Sequence, residues 1–131
     1  MSSITVSHVA GDRFSVELGE HTLSVDQPIL DGGEGTAPTP TELFVASLAS
    51  CVAHYARRYL ARHQLPTEGL TVTANYQIET GPARVSAVQV TVTVSPDVPT
   101  ARAAPWLAVA CACTRPQRPP QLHRSARVQR A

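Results

Sequence analysis

The side chains with the most chemistry to offer in this 131-residue chain are its three cysteines, Cys51, Cys111 and Cys113. Cys51 sits in a run of small and apolar residues, Phe44-Val-Ala-Ser-Leu-Ala-Ser-Cys51-Val-Ala-His54. The thiolate is the nucleophilic form of cysteine, and an ordinary thiol ionises only near pH ~8.5. Burial raises that value, so a reactive Cys51 needs a nearby cation or base. In a helix, His54 at i+3 and Ser47 at i−4 lie one turn away. Arg57 and Arg58 lie further along, and Arg13 must come from a distant strand. An inert, packed thiol is the competing reading. Cys111-Ala-Cys113 has two readings of its own. With His123 or Cys51 it would offer zinc sulfur and nitrogen ligands, although C-x-C is not the usual C-x-x-C and no second pair exists. Alternatively, one of the two is a resolving thiol that attacks a sulfenic acid on Cys51. Asp31-Gly-Gly-Glu-Gly35 reads as a turn rather than a phosphate cradle, and the chain contains no lysine to serve such a site.

The elements that must position these groups are legible in the pattern. Residues 2–9 alternate apolar and polar, as do 13–18 and 21–26, and each reads as a strand. Gly19-Glu20 makes a short hairpin connection between the second and third. Residues 27–38, rich in Gly, Pro and acid, read as an ordered loop. Thr39 then caps a long helix over about 40–64, with Pro40 at its first position and Glu42 completing a Thr-x-x-Glu capping box. Pro66 ends it. The stripe Phe44, Leu48, Cys51, Tyr55, Tyr59 puts Cys51 on the apolar face, about three turns in. Two further strands, 70–79 and 84–95, form a long hairpin around Thr80-Gly-Pro-Ala83. Residues 100–113 read as a second helix anchored by Trp106. Strands, helix, strands, helix in that order predict an α+β fold.

Composition bounds the partners. All eleven basic residues are arginines, against ten acids, for a formal charge of +1, so no basic field over the whole chain points to nucleic acid. The stretch 115–131 carries five arginines and no acid, and reads as a poorly ordered terminus in preference to a nucleic-acid arm. It is assigned no regular structure. No apolar run reaches the length of a membrane span. An odd number of cysteines argues against a secreted disulfide framework. A soluble, cytoplasmic protein is expected. The long helix is apolar on more than one side, which predicts a second copy of the chain packed alongside.

The segment Gly35-Thr-Ala-Pro-Thr-Pro-Thr-Glu-Leu-Phe-Val-Ala-Ser-Leu-Ala-Ser-Cys51, with Gly-Asp-Arg-Phe at 11–14 and Val-Asp-Gln-Pro at 25–28, resembles the OsmC/Ohr family of thiol peroxidases. The likeness runs from about residue 4 to Cys113. It implies antiparallel sheets around a long central helix bearing the reactive cysteine, in an intertwined homodimer with its sites at the subunit interface. It implies reduction of organic hydroperoxides or peroxide, with no cofactor and no metal. Cys51 would attack the O–O bond, Cys113 would resolve the sulfenic acid, and an external thiol or dithiol would restore both. Arg13 is the candidate activator of the thiolate. The family's peroxidase branches carry a glutamate ten residues before the cysteine; that position here is Thr41, and Glu42 is the neighbouring candidate. The rival reading on the same scaffold is a non-catalytic binding or redox-sensing module. Residues 1–114 form the domain. The family continues Cys-Thr-Val-His-Asn where this chain reads Cys113-Thr-Arg-Pro-Gln, so 115–131 is expected to be an atypical Arg/Pro-rich tail, shifted in reading frame or disordered, that loses a core strand.

Overall fold

The structure, a computed structural model, describes residues 1–99 and 123–130. The expected second helix at 100–113 lies outside the described residues, with Cys111, Cys113 and Trp106. The chain divides into two compact units, Met1–Phe44 and Val45–Ala131.

The first unit is built on an antiparallel meander of β1 (Ile4–Ala10), β2 (Arg13–Leu18) and β3 (His21–Val25), in that spatial order. Its register sets Ile4 against Leu18, Val6 against Val16 and His8 against Phe14; on the other side of β2, Val16 meets Leu23 and Phe14 meets Val25. Because side chains alternate across a strand, this pairing gathers the apolar residues on one face. Val25 is buried, whereas Ile4 and Val6 remain 64% and 57% exposed. The Gly-rich segment that follows is ordered, as its composition predicts, and holds a short 3-10 helix at Ile29–Asp31.

Helix α1 (Pro40–Arg62) begins as read. The Thr39 N–H donates to Glu42 Oε2 at 2.8 Å, and the Glu42 N–H donates to Thr39 Oγ1 at 3.1 Å, a complete capping box. The helix stops two residues before the predicted end. Gln64 adopts a left-handed φ of 56°, the Leu65 N–H donates to the Leu60 carbonyl, and the Gln64 N–H donates to that of Ala61. That pair of bonds is a Schellman closure, which usually employs glycine where this chain has Gln64.

In the second unit, β4 (Thr71–Glu79) and β5 (Arg84–Val94) form the expected hairpin, closed by an Arg84–Glu79 ion pair at 2.8 Å. Val88, Val90, Val92 and Val94 alternate into the core and meet Val45, Val52, Ala56 and Leu60 of α1. Two corrections arise here. The segment His123–Arg130, assigned no regular structure from its sequence, is strand β6. Its pairing is made by backbone groups and tolerates an arginine-rich strand, while Val128 packs against the core. Moreover, β6 runs parallel to β5, so the sheet ordered β4-β5-β6 is mixed rather than antiparallel throughout.

Candidate functional site

Cys51 lies about three turns into α1 and is half-buried. The buried stripe of the helix is Val45, Val52, Ala56 and Leu60. This is one residue, about 100° of rotation, beyond the stripe expected from Phe44, Leu48, Cys51, Tyr55 and Tyr59. Alanine and valine admit the valine-rich β5 at close range, which bulkier residues would not. Cys51 therefore flanks the core instead of lying at its centre. Cys51 is disulfide-bonded; Cys111 and Cys113 lie outside the described residues. His54 is exposed, with its ring edge-on to Tyr55 at 5.8 Å. The Ser50 hydroxyl donates to the Ala46 carbonyl at 2.7 Å, one turn back along the helix.

The other two candidate side chains belong to the first unit. Arg13 opens β2, and its guanidinium lies 4.0 Å from Glu34 Oε2. Glu42 is engaged in the capping box. The structure thus brings Arg13 to Glu34 and leaves Glu42 at the helix start. Glu34 was not singled out from the sequence, where it is one acid in a glycine-rich turn. The signal lay in pairing: with Phe14 opposite Val25, the start of β2 borders the loop that leaves β3. Both side chains are well exposed, 38% and 77%, so the pair contributes about 0–1 kcal/mol to stability and matters for orientation.

The loop that carries Glu34 is fixed by Asp26, which is 1% exposed. Its Oδ2 accepts the Thr36 N–H at 3.0 Å and the Thr36 hydroxyl at 2.8 Å, and its Oδ1 accepts the Gln27 N–H at 2.8 Å. These donors, Thr36 foremost, hold the Asp26 carboxyl at a pKa of about 2, against the opposing effect of burial. Backbone bonds complete the loop: Gly33 N–H to the Pro28 carbonyl, Gly35 N–H to that of Gln27, and Asp26 N–H to that of Pro38. Gly33 presses against this knot. A Cβ there would collide with the Gln27 carbonyl group and come within 2.8 Å of Asp26 Oδ1. The loop between β3 and α1 is thereby held by its own hydrogen bonds.

Among the described residues, no three His, Cys, Asp or Glu side chains lie close enough together to hold a metal ion. The zinc set weighed from sequence, Cys111, Cys113 and His123, has its two cysteines outside the described residues. Among the described residues, no helix is long and apolar enough to cross a membrane.

Among the described residues, two sheets and a long cysteine-bearing helix define an α+β class. The OsmC-like protein family model matches residues 33–113, more than half of the chain, and the protein belongs to that family. Solved structures with the same fold include a Psychrobacter arcticus protein assigned to the osmotic stress and detoxification response, at 22% identity and a TM-score of 0.86 over 98% of this chain and 96% of that one. An organic hydroperoxide resistance protein OsmC from Legionella pneumophila is 20% identical, with a TM-score of 0.69 over 98% and 96% of the two chains. The organic hydroperoxide resistance protein OhrB of Bacillus subtilis is 15% identical, with a TM-score of 0.61 over 98% of each chain. No curated protein matches the sequence.

Proposed function

We propose that this protein is a thiol-dependent peroxidase that reduces organic hydroperoxides through Cys51. The observation that carries the reading is Cys51 itself: a half-buried, disulfide-bonded cysteine on the long helix of an OsmC-family chain. In the proposed cycle, the Cys51 thiolate attacks the terminal, hydrogen-bearing oxygen of R–O–O–H. The O–O bond breaks, an S–O bond forms, and the alkoxide leaves and takes a proton to become the alcohol. The product on the protein is the Cys51 sulfenic acid. The Cys113 thiol then attacks that sulfur, and the Cys51–Cys113 disulfide forms with loss of water. Two external thiols, or one dithiol, return two electrons and two protons and are themselves oxidised to a disulfide.

In this reading Arg13 favours the thiolate by its charge and Glu34 restrains the guanidinium. Glu42 serves the helix start, which in turn holds the first turns of α1. The solved relatives from Legionella and Bacillus, named for organic hydroperoxide resistance, support the substrate class. The exposed apolar face of β1–β3, with Ile4, Val6 and Leu23, supports a homodimer in which a second copy covers it. A cytoplasmic location, where external thiols are available, completes the proposal.

The test is consumption of cumene hydroperoxide with a dithiol as reductant. Wild type should turn over, Cys51→Ser should be inactive, and Cys113→Ser should slow turnover and fail to form the intramolecular disulfide. Full activity in Cys51→Ser would remove the proposal. No turnover in wild type, with Cys51 oxidised once per chain, would favour the redox-sensing module.

A further inference from the structure

Beyond Cys51, one face of α1 continues as Tyr55, Arg58, Tyr59, Arg62 and His63. These five side chains line a cleft of about 330 Å³. Tyr55 and Tyr59 are half-buried and pack against the core, so their rings form fixed walls. The Tyr59 and His63 rings stand 4.2 Å apart. Arg58 and Arg62 are exposed and four residues apart, which places two like charges on neighbouring turns of the same face, where they repel. Other arginines of the chain answer this problem with carboxylates: Arg13 meets Glu34 and Arg84 meets Glu79. Neither Arg58 nor Arg62 has a carboxylate or a hydrogen-bond acceptor among the described residues. The dipole at the helix C-terminus favours cations there. It does not account for a pair of guanidiniums lining the same cleft as two tyrosine rings.

We propose that this cleft binds a small organic anion with an oxyanion head, carboxylate or phosphate monoester, on a flat apolar body. The head is held between the guanidiniums of Arg58 and Arg62, whose planar N–H forks match paired oxygens. The body lies against the rings of Tyr55 and Tyr59, which supply stacking area at little entropic cost. The volume lies near the lower end of small-molecule sites, which run from ~300 Å³ upward. The site uses none of the side chains of the proposed peroxide chemistry and does not depend on that reading.

Isothermal titration of the full chain with phenyl phosphate, benzoate and inorganic phosphate tests the site. At least one aromatic anion should bind saturably, one per chain, and at least about tenfold more tightly than inorganic phosphate. The better of the two identifies the head group. Arg58→Gln and Arg62→Gln should each weaken that binding about tenfold or more, the scale of one charge-assisted hydrogen bond. Arg57→Gln, which changes the same charge outside the cleft, should leave it unchanged, and an unaltered far-UV circular dichroism spectrum checks that each variant is folded. Absence of saturable binding by either aromatic anion would overturn the proposal. So would equal affinity for inorganic phosphate, or an Arg57→Gln effect as large as that of Arg58→Gln, since both mark diffuse surface charge.

Discussion

Gly33→Ala tests how tightly the loop into α1 is tied. The new methyl would collide with the Gln27 carbonyl group and crowd Asp26 Oδ1. Relief requires Gly33 to move off Gln27, which breaks the bonds from Gly33 N–H to Pro28 and from Gly35 N–H to Gln27. Two backbone hydrogen bonds at about 1 kcal/mol each, with about 1–2 kcal/mol of overpacking, put the cost near ~3–4 kcal/mol. An unfolding entropy of ~2.1 cal/mol/K per residue over 131 residues converts each kcal/mol into about 3.6 °C of Tm. The expected loss is therefore about 11–14 °C by calorimetry. Gly11→Ala is the internal comparison. Gly11 has φ +55° and open space around its Cβ direction, so only the left-handed backbone resists the change, at about 1–2 kcal/mol and about 4–7 °C. If Gly33→Ala melts within about 2 °C of wild type, or if Gly11→Ala costs more, the close approach of Gly33 to Gln27 is wrong.

Three other outcomes follow from the same structure. Asp26 has a folded pKa of about 2 against an ordinary 3.8, so its contribution is complete above pH ~4 and disappears as pH falls through about 2. Denaturant titrations should accordingly show Asp26→Asn less stable than wild type at pH 7, with the gap shrinking between pH 4 and pH 2; a gap independent of pH would contradict the assignment. Gln64→Gly should raise stability by about 0.5–1 kcal/mol, because glycine takes the left-handed closure without strain, read as a higher denaturation midpoint at unchanged m-value. Leu60→Ala, which empties a fully buried position between α1 and β5, should lower stability by about 2–5 kcal/mol; a loss under 1 kcal/mol would mean that the helix does not seat there.

Much of the scaffold was legible because it rests on local chemistry. Thr39-x-x-Glu42 announced the helix start, and both reciprocal bonds are present. The alternation of Val88, Val90, Val92 and Val94 announced a strand with one buried face. What escaped the sequence depends on partners distant along the chain. The rotation of α1 by one residue was hidden because Ala46, Ala49, Ala53 and Ala56 make every face of the helix weakly apolar, and β5 decides which face is used. Strand β6 was hidden because parallel pairing draws on backbone groups, and His123–Arg130 offers no alternating pattern. The meeting of Arg13 with Glu34 was hidden because it follows from strand register and from a loop pinned by Asp26.

The most direct measurement of the central claim is mass spectrometry of the peptide containing Cys51, after one equivalent of cumene hydroperoxide is added to reduced Cys113→Ser protein with dimedone present. The account predicts a stoichiometric sulfenic-acid adduct on Cys51 and an equal amount of alcohol product. Alcohol formation with Cys51 left unmodified would contradict it.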